Sequence, residues 1–314
     1  MDLSRFEENL REEWERFPPP ELIDPDVATE RLAYSDHFHK VRHRDGEDRR
    51  GGVSIEDVTV PSLIDDHRIT VRLYRPLKPE SGRGLVYFHG GAFVMGDLDF
   101  EEEKCIELAR GAGCLVVSVD YRLAPEYPYP TPLEDCYSAL VWVADHAVQL
   151  SIDPYRLGIG GCSAGGALAA SIAQLCRDRG GPALALQMLL YPVLDASLSE
   201  ESVRTLQSEE EIRESECMWE NYLGRSQAEP PGCASPAARR DLSGLAPTCI
   251  VAGELDFLRD EAITYAQRLL SAGVSVELQV WSRTPHAVDL FAPDATVSRQ
   301  SVRHQIDSLA RFLG

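Results

Sequence analysis

The spacing of apolar residues changes character along the chain, and each change predicts a different element. Phe6, Leu10, Trp14 and Phe17 recur at helical spacing on an otherwise charged segment that breaks at Pro18, Pro19 and Pro20. That spacing predicts an amphipathic helix whose stripe must be laid on another part of the chain, because so short a helix is marginal alone. From Val53 the period falls to two. Residues 53–60 and 69–75 alternate about a turn at Asp65 and Asp66, which predicts an antiparallel hairpin at a sheet edge. Continuous apolar runs follow at 84–88, 114–119, 155–159, 186–191, 248–252 and 274–281. Helical patterns separate them near 100–111, up to about 150, and at 166–176, 260–272 and 297–313. Buried strands alternating with helices imply a mostly parallel sheet covered on both faces.

One region interrupts this rhythm. Residues 195–245 are acidic and helical in pattern and hold no convincing strand. An insertion over the carboxyl edge of the sheet, where doubly wound folds bind ligands, is the natural place for it. The expected organisation is an N-terminal helical cap segment at 1–50 and an α/β domain at 51–314 that carries a cap insertion at about 195–245. There is no internal repeat or low-complexity tract.

Composition narrows the partners. The 314 residues are 44% hydrophobic, enough for a substantial core, and carry a net charge of −20. That acidity argues against nucleic acid or an anionic membrane surface. The start lacks the apolar core of a secretion signal, and no apolar run approaches the roughly 20 residues that span a bilayer. Eight cysteines show no C-x-x-C pair and lie mostly in apolar surroundings. They read as free thiols of a soluble cytoplasmic protein.

Candidate chemistry starts at Gly161-Cys162-Ser163-Ala164-Gly165, which matches G-x-S-x-G. That spacing suits a sharp strand-to-helix turn with serine at its tip, where side chains two residues either side would collide. Nucleotide loops are excluded. Counted from Gly158, the sixth position is Ser163, so G-x-G-x-x-G fails, and no lysine follows Gly166 as a Walker loop requires. Three fixed positions recur by chance too often to carry a function alone, so partners must be found elsewhere. A serine nucleophile on an α/β sheet needs Asp or Glu and then His further along the chain. Glu254 and Asp256 both follow the apolar run 248–253, and His286 follows the next one. All would meet at the carboxyl edge. Oxyanion donors are expected after the serine and after the third strand, where His89-Gly90-Gly91-Ala92 stands. His37, His39 and His43 resemble a metal cluster superficially, but lack a supporting third-ligand pattern and read as a charged surface segment. No metal or other cofactor is expected.

Several of these motifs occur together and in order: 88–97 with His89-Gly90-Gly91, 120–126, 161–166, Asp256 ahead of Leu258-Arg259-Asp260-Glu261, and His286. From about Ile69 to the C-terminus the chain resembles the hormone-sensitive-lipase-like esterases of the α/β-hydrolase superfamily. The resemblance implies a mostly parallel eight-stranded sheet with helices on both faces and a helical cap. It assigns Ser163 as nucleophile, His286 as base and Asp256, rather than Glu254, as acid. This chain departs from the family's pattern at Cys162, where Asp or Thr is usual, at Ala92, where Gly is common, and at Ala287-Val288.

The expected function is a serine carboxylesterase acting on short- to medium-chain esters through an acyl-serine intermediate. The N–H groups of Gly90, Gly91 and Ala164 are expected to hold the oxyanion. Trp14, with Trp219 and Tyr222 of the insertion, is expected to line the substrate pocket beneath a cap formed by the two segments together. The expected partner is a small-molecule ester, and the resemblance leaves a homodimer open. An amide or peptide hydrolase with the same triad, and a catalytically silent binding protein on this fold, are the alternatives. The second is disfavoured because all three triad members are present.

Overall fold

A computed structural model of the chain describes residues 2–20, 27–46, 49–79, 82–224 and 232–314. After a short 3-10 turn come helices α1 (Glu8–Arg16) and α2 (Val27–Arg42), then strands β1 (Val53–Pro61), β2 (Arg68–Pro76) and β3 (Gly82–Phe88). There follow α3 (Glu102–Ala112), β4 (Leu115–Asp120), α4 (Thr131–Asp145), α5 (Ala147–Leu150), β5 (Ile152–Cys162), α6 (Ala164–Arg179) and β6 (Leu186–Leu190). The insertion holds α7 (Glu201–Leu206) and α8 (Glu209–Leu223). The chain closes with β7 (Thr248–Gly253), α9 (Arg259–Ser271), β8 (Val276–Trp281), α10 (Val288–Phe291) and α11 (Thr296–Phe312).

The eight strands form one sheet in the order β1-β2-β4-β3-β5-β6-β7-β8. The alternating hairpin lies at the edge: β1 pairs antiparallel with β2, and β2 antiparallel with β4. The continuous apolar strands are parallel, for the reason their composition suggested: both faces are covered. Val86 and Phe88 point into the cluster shared with α4, α6 and α9, which holds Leu140, Leu168, Ile172 and Tyr265. Leu85 and Tyr87 point into the opposite cluster, with Ile106 and Leu108 of α3 and Leu309 of α11. Two-residue alternation on β3 thus feeds both layers. Helix α6 is buried from Ala164 to Cys176, and its small residues let it lie close against the sheet.

The two segments flanking this body pack differently from expectation. Phe6, Leu10 and Trp14 bury themselves against Leu255, Val288, Ala292, Ala295 and Val297. Trp219 and Tyr222 of α8 belong to the main core on the other side, with Phe93. The expected pairing of the α1 stripe with the insertion is therefore corrected: its apolar partners are Leu255 after β7 and the segment after β8 that runs through α10 into the start of α11. Phe17 lies beyond the end of α1, under the Arg16 guanidinium, and does not join the stripe. Helix α2 is the one that approaches α8. Burial raises the Glu214 carboxyl above its usual range, reinforced by Glu210, Glu211 and, from α2, Glu30. Helix α8 opens with a reciprocal cap, in which Ser208 Oγ accepts from Glu211 N–H at 3.3 Å and Glu211 accepts from Ser208 N–H at 2.6 Å. No helix among the described residues is long and apolar enough to cross a membrane.

Candidate active site

Strand β5 ends at Cys162 and α6 begins at Ala164, so Ser163 alone makes the turn, at φ 51° and ψ −117°. A non-glycine residue held there is strained, and the surroundings must impose the strain. They do so from both sides. A Cβ on Gly161 would lie 2.5 Å from the Phe88 carbonyl oxygen, and one on Gly165 would lie 2.0 Å from it. Only glycine at both positions lets β3, β5 and α6 converge on the serine. The Ser163 N–H donates to the Leu190 carbonyl at 2.9 Å, which anchors the turn on β6.

The serine hydroxyl faces a histidine and an aspartate brought in by the last two parallel strands. His286 Nε2 lies 3.0 Å from Ser163 Oγ, and His286 Nδ1 lies 2.8 Å from Asp256 Oδ2. Asp256 is buried, and its other oxygen accepts the Leu258 N–H at 2.9 Å, so a tight turn after β7 aims the carboxylate. Glu254, the other acid after that strand, is turned away and accepts the Arg283 N–H at 2.7 Å. The rings of Tyr191 and Phe257 flank the imidazole at 5.1 and 5.6 Å.

The oxyanion loop requires one correction. The Gly90 N–H donates to the buried carboxylate of Glu101 at 2.6 Å, so it is not free to bind a substrate oxygen. Among the described residues, the N–H groups of Gly91 and Ala92 have no hydrogen-bond acceptor. Ala164, as the first residue of α6, presents an N–H at a helix start, where intrahelical acceptors are lacking. The donor set compatible with this geometry is Gly91, Ala92 and Ala164. Gly91 and Ala92 both have positive φ, 111° and 54°, and a Cβ on Gly91 would lie 2.2 Å from the Met95 carbonyl oxygen.

The expected pocket residues separate. Tyr222 stacks on Phe93 with ring centroids 3.8 Å apart, and Trp219 lies 5.6 Å from the same ring, so both stand over the end of the oxyanion loop. Trp14 does not join them. It packs on Phe6 and Phe291, behind the loop that carries His286. The three N-terminal histidines do not converge either: His37 is buried against Phe38 and Phe291, and burial drives its pKa down to about 4, while His39 and His43 pair with each other. A different trio, Cys249, Glu277 and His304, brings its ligand atoms within 4.8 Å of one another. It lies at the opposite end of β7 from Asp256, and Glu277 is already engaged by Arg311 and Ser308.

Four groups around the site gave no sequence signal: Glu101, Lys104, Tyr191 and Asp289. Lys104 and Asp289 form a fully buried ion pair, and Asp289 also accepts from Tyr191 at 2.7 Å and Gln305 at 2.8 Å. In sequence, Glu101 and Lys104 belong to an ordinary charged helix start, and nothing local marks them as buried.

This strand order, with the strained serine after the fifth strand, is that of the α/β-hydrolase fold, and a family model of that fold matches residues 85–290. The esterase LipI of Mycobacterium tuberculosis is 38% identical, covering 82% of this chain and 84% of its own length. An ethyl acetate hydrolase of Pseudomonas putida is 37% identical, covering 71% and 72% respectively. The solved structure of a bacterial heroin esterase superposes with a TM-score of 0.91 at 34% identity, over 99% of each chain. The chain belongs to the hormone-sensitive-lipase-like family of α/β hydrolases.

Proposed function

We propose that the chain hydrolyses short- to medium-chain carboxylic esters through an acyl-serine intermediate on Ser163, the particular form here of the carboxylic ester hydrolysis that its family membership carries. The observation that most supports it is the unbroken path from Asp256 Oδ2 through His286 to Ser163 Oγ, with steps of 2.8 and 3.0 Å. Ser163 Oγ attacks the ester carbonyl carbon while His286 Nε2 takes its proton. Asp256 holds the proton on Nδ1, which fixes the tautomer and stabilises the imidazolium. The carbonyl oxygen becomes an oxyanion facing the N–H groups of Gly91, Ala92 and Ala164, each worth about 3 kcal/mol in comparable sites. His286 then gives its proton to the departing alcohol. A water activated by the same imidazole attacks the acyl-serine and releases the carboxylic acid. No step calls for a metal or organic cofactor.

Residues 1–50 and 195–245 act as the cap of the 51–314 body, with α2 and α8 as the roof. Phe93, Trp219 and Tyr222 shape the substrate side of that roof, while α1 braces the loop that carries His286 from behind. The chain works in the cytoplasm, a reading supported by six buried free thiols among its eight cysteines. It pairs as a homodimer, the assembly that the family resemblance left open. Cell fractionation and light scattering check these two points.

The main test is a fluorophosphonate probe together with a panel of p-nitrophenyl esters and the matching anilides. Labelling at Ser163 with ester turnover is expected. Turnover of anilides over esters would favour the amide-hydrolase alternative, and a folded protein that neither labels nor turns over would be a silent binder.

A further inference from the structure

Of the buried titratable groups that ester hydrolysis does not use, Glu101 lies nearest the chemistry. It directly precedes α3 and is 3% exposed. One carboxylate oxygen accepts both the Gly90 N–H, at 2.6 Å, and the Cys162 thiol, at 2.8 Å. The other accepts the Tyr87 hydroxyl at 2.5 Å. Gly90 belongs to the oxyanion loop, and Cys162 immediately precedes the nucleophile. A single carboxylate therefore bridges the two backbones whose relative placement an oxyanion hole depends on. The packing leaves no slack, since a Cβ on Gly90 would lie 2.8 Å from Cys162 Sγ and 3.4 Å from Glu101 Oε1.

The consequence follows from peptide planarity. Fixing one end of a trans peptide unit fixes the direction of the other. The unit between His89 and Gly90 is held at both ends, its N–H by Glu101 and its carbonyl by the Tyr121 hydroxyl at 2.8 Å. In the next unit, His89 Nδ1–H donates to the Gly90 carbonyl at 2.7 Å, which sets the direction of the Gly91 N–H opposite it. Burial drives the His89 pKa down to about 4, so this ring stays neutral and keeps its single proton for that bond. Remove Glu101, and the first unit keeps only its carbonyl contact while the elbow loses its tie to the loop.

We propose that Glu101 is a positioning residue for ester hydrolysis: its carboxylate clamps the oxyanion loop to the nucleophile turn through Gly90 and Cys162, and Cys162 is matched to it as a neutral donor. The inference rests on the esterase function proposed above. Burial raises the Glu101 carboxyl, opposed by its bonds to Cys162, Gly90 and Tyr87 and by the nearby Lys104 ammonium. A carboxylate at position 162 would put like charges within hydrogen-bonding distance, so the thiol suits the position in a way that Asp would not.

Steady-state kinetics on a short-chain p-nitrophenyl ester test this in the full-length chain. Glu101→Ala should lower kcat by about 10²-fold, the effect of losing an oxyanion donor, with KM changed by less than about 3-fold. Phosphonate labelling of Ser163 should slow in parallel. Cys162→Asp should lower kcat by about 10²-fold as well, and adding Glu101→Gln to it should recover at least tenfold by removing the second carboxylate. A folded Glu101→Ala protein with wild-type kcat would overturn the clamp. So would effects of Cys162→Asp and Glu101→Gln that simply multiply, and this pair decides the matter if Glu101→Ala does not fold. Loss of ester turnover and of labelling in the wild type would overturn the esterase function itself, which an unaffected Glu101→Ala would leave standing.

Discussion

Replacing Trp14 by alanine separates support from substrate contact for the N-terminal helix. Trp14 is 8% exposed, with the Phe6 ring edge-on at 5.4 Å and Phe291 at 5.6 Å. Its cluster includes Leu255, next to Asp256, and Val288, two residues beyond His286. Truncating a buried aromatic to alanine costs about 3–5 kcal/mol, the spread reflecting how far the site can collapse. Helix α1 lies at the surface and can settle into the gap, so the lower end applies, about 3 kcal/mol. For a chain of this size each kcal/mol moves the thermal midpoint by about 2 °C, which gives a drop of about 6 °C. Calorimetry reads the midpoint, and p-nitrophenyl esters from acetate to decanoate read the pocket. Because Trp14 stands behind the base loop, kcat/KM should fall evenly across the series with its order unchanged. A reordered series at an unchanged midpoint would show that Trp14 lines the acyl pocket, and a drop below about 2 °C would show that α1 braces nothing.

Ser163→Ala and His286→Ala should each lower kcat by about 10³-fold or more, since the three groups act as a unit, and Asp256→Asn nearly as much. Glu254→Gln should stay near wild type, and a larger loss there than in Asp256→Asn would reassign the acid. Asp289→Asn should destabilise the fold by about 3–5 kcal/mol at pH 7, because it leaves the Lys104 ammonium buried without its partner. Burial alone would raise the Asp289 carboxyl, but Lys104, Gln305 and Tyr191 hold it below its usual 3.8, so its contribution is complete above that value and lost as pH falls through the folded value. The stability gap between wild type and Asp289→Asn, read by urea unfolding, should therefore narrow as pH falls below 3.8 and through the lowered folded value; the raised buried carboxylates Glu101 and Glu261 titrate in both proteins and cancel. EDTA should leave turnover unchanged, and an activity lost to the chelator and restored by a divalent metal would refute the cofactor-free mechanism.

Strand positions were legible because a parallel strand buried on both faces must be apolar throughout, as 84–88 and 114–119 are, while the exposed edge hairpin must alternate. The serine turn was legible for a local reason too, since Gly161 and Gly165 answer clashes within a few residues of Ser163 and with the strand beside it. Spacing alone left Glu254 and Asp256 equivalent, and only the similarity to known esterases chose between them. In space they differ by the turn that binds Asp256 to the Leu258 N–H while Glu254 swings out to Arg283. Periodicity likewise told that Phe6, Leu10 and Trp14 must be buried but carried no information on where. Their destination was set by which apolar surface lies within reach once the sheet is formed, and that surface is the back of the base loop. Glu101 is the sharpest case. In the run Glu101-Glu102-Glu103 it is indistinguishable from a solvated helix start, and it becomes a buried bridge only because β3 and β5 bring Gly90 and Cys162 to its carboxylate. Chain-local chemistry is written in short-range pattern. Which buried polar group meets which partner is decided by the strand order, which brings together residues as far apart as Lys104 and Asp289.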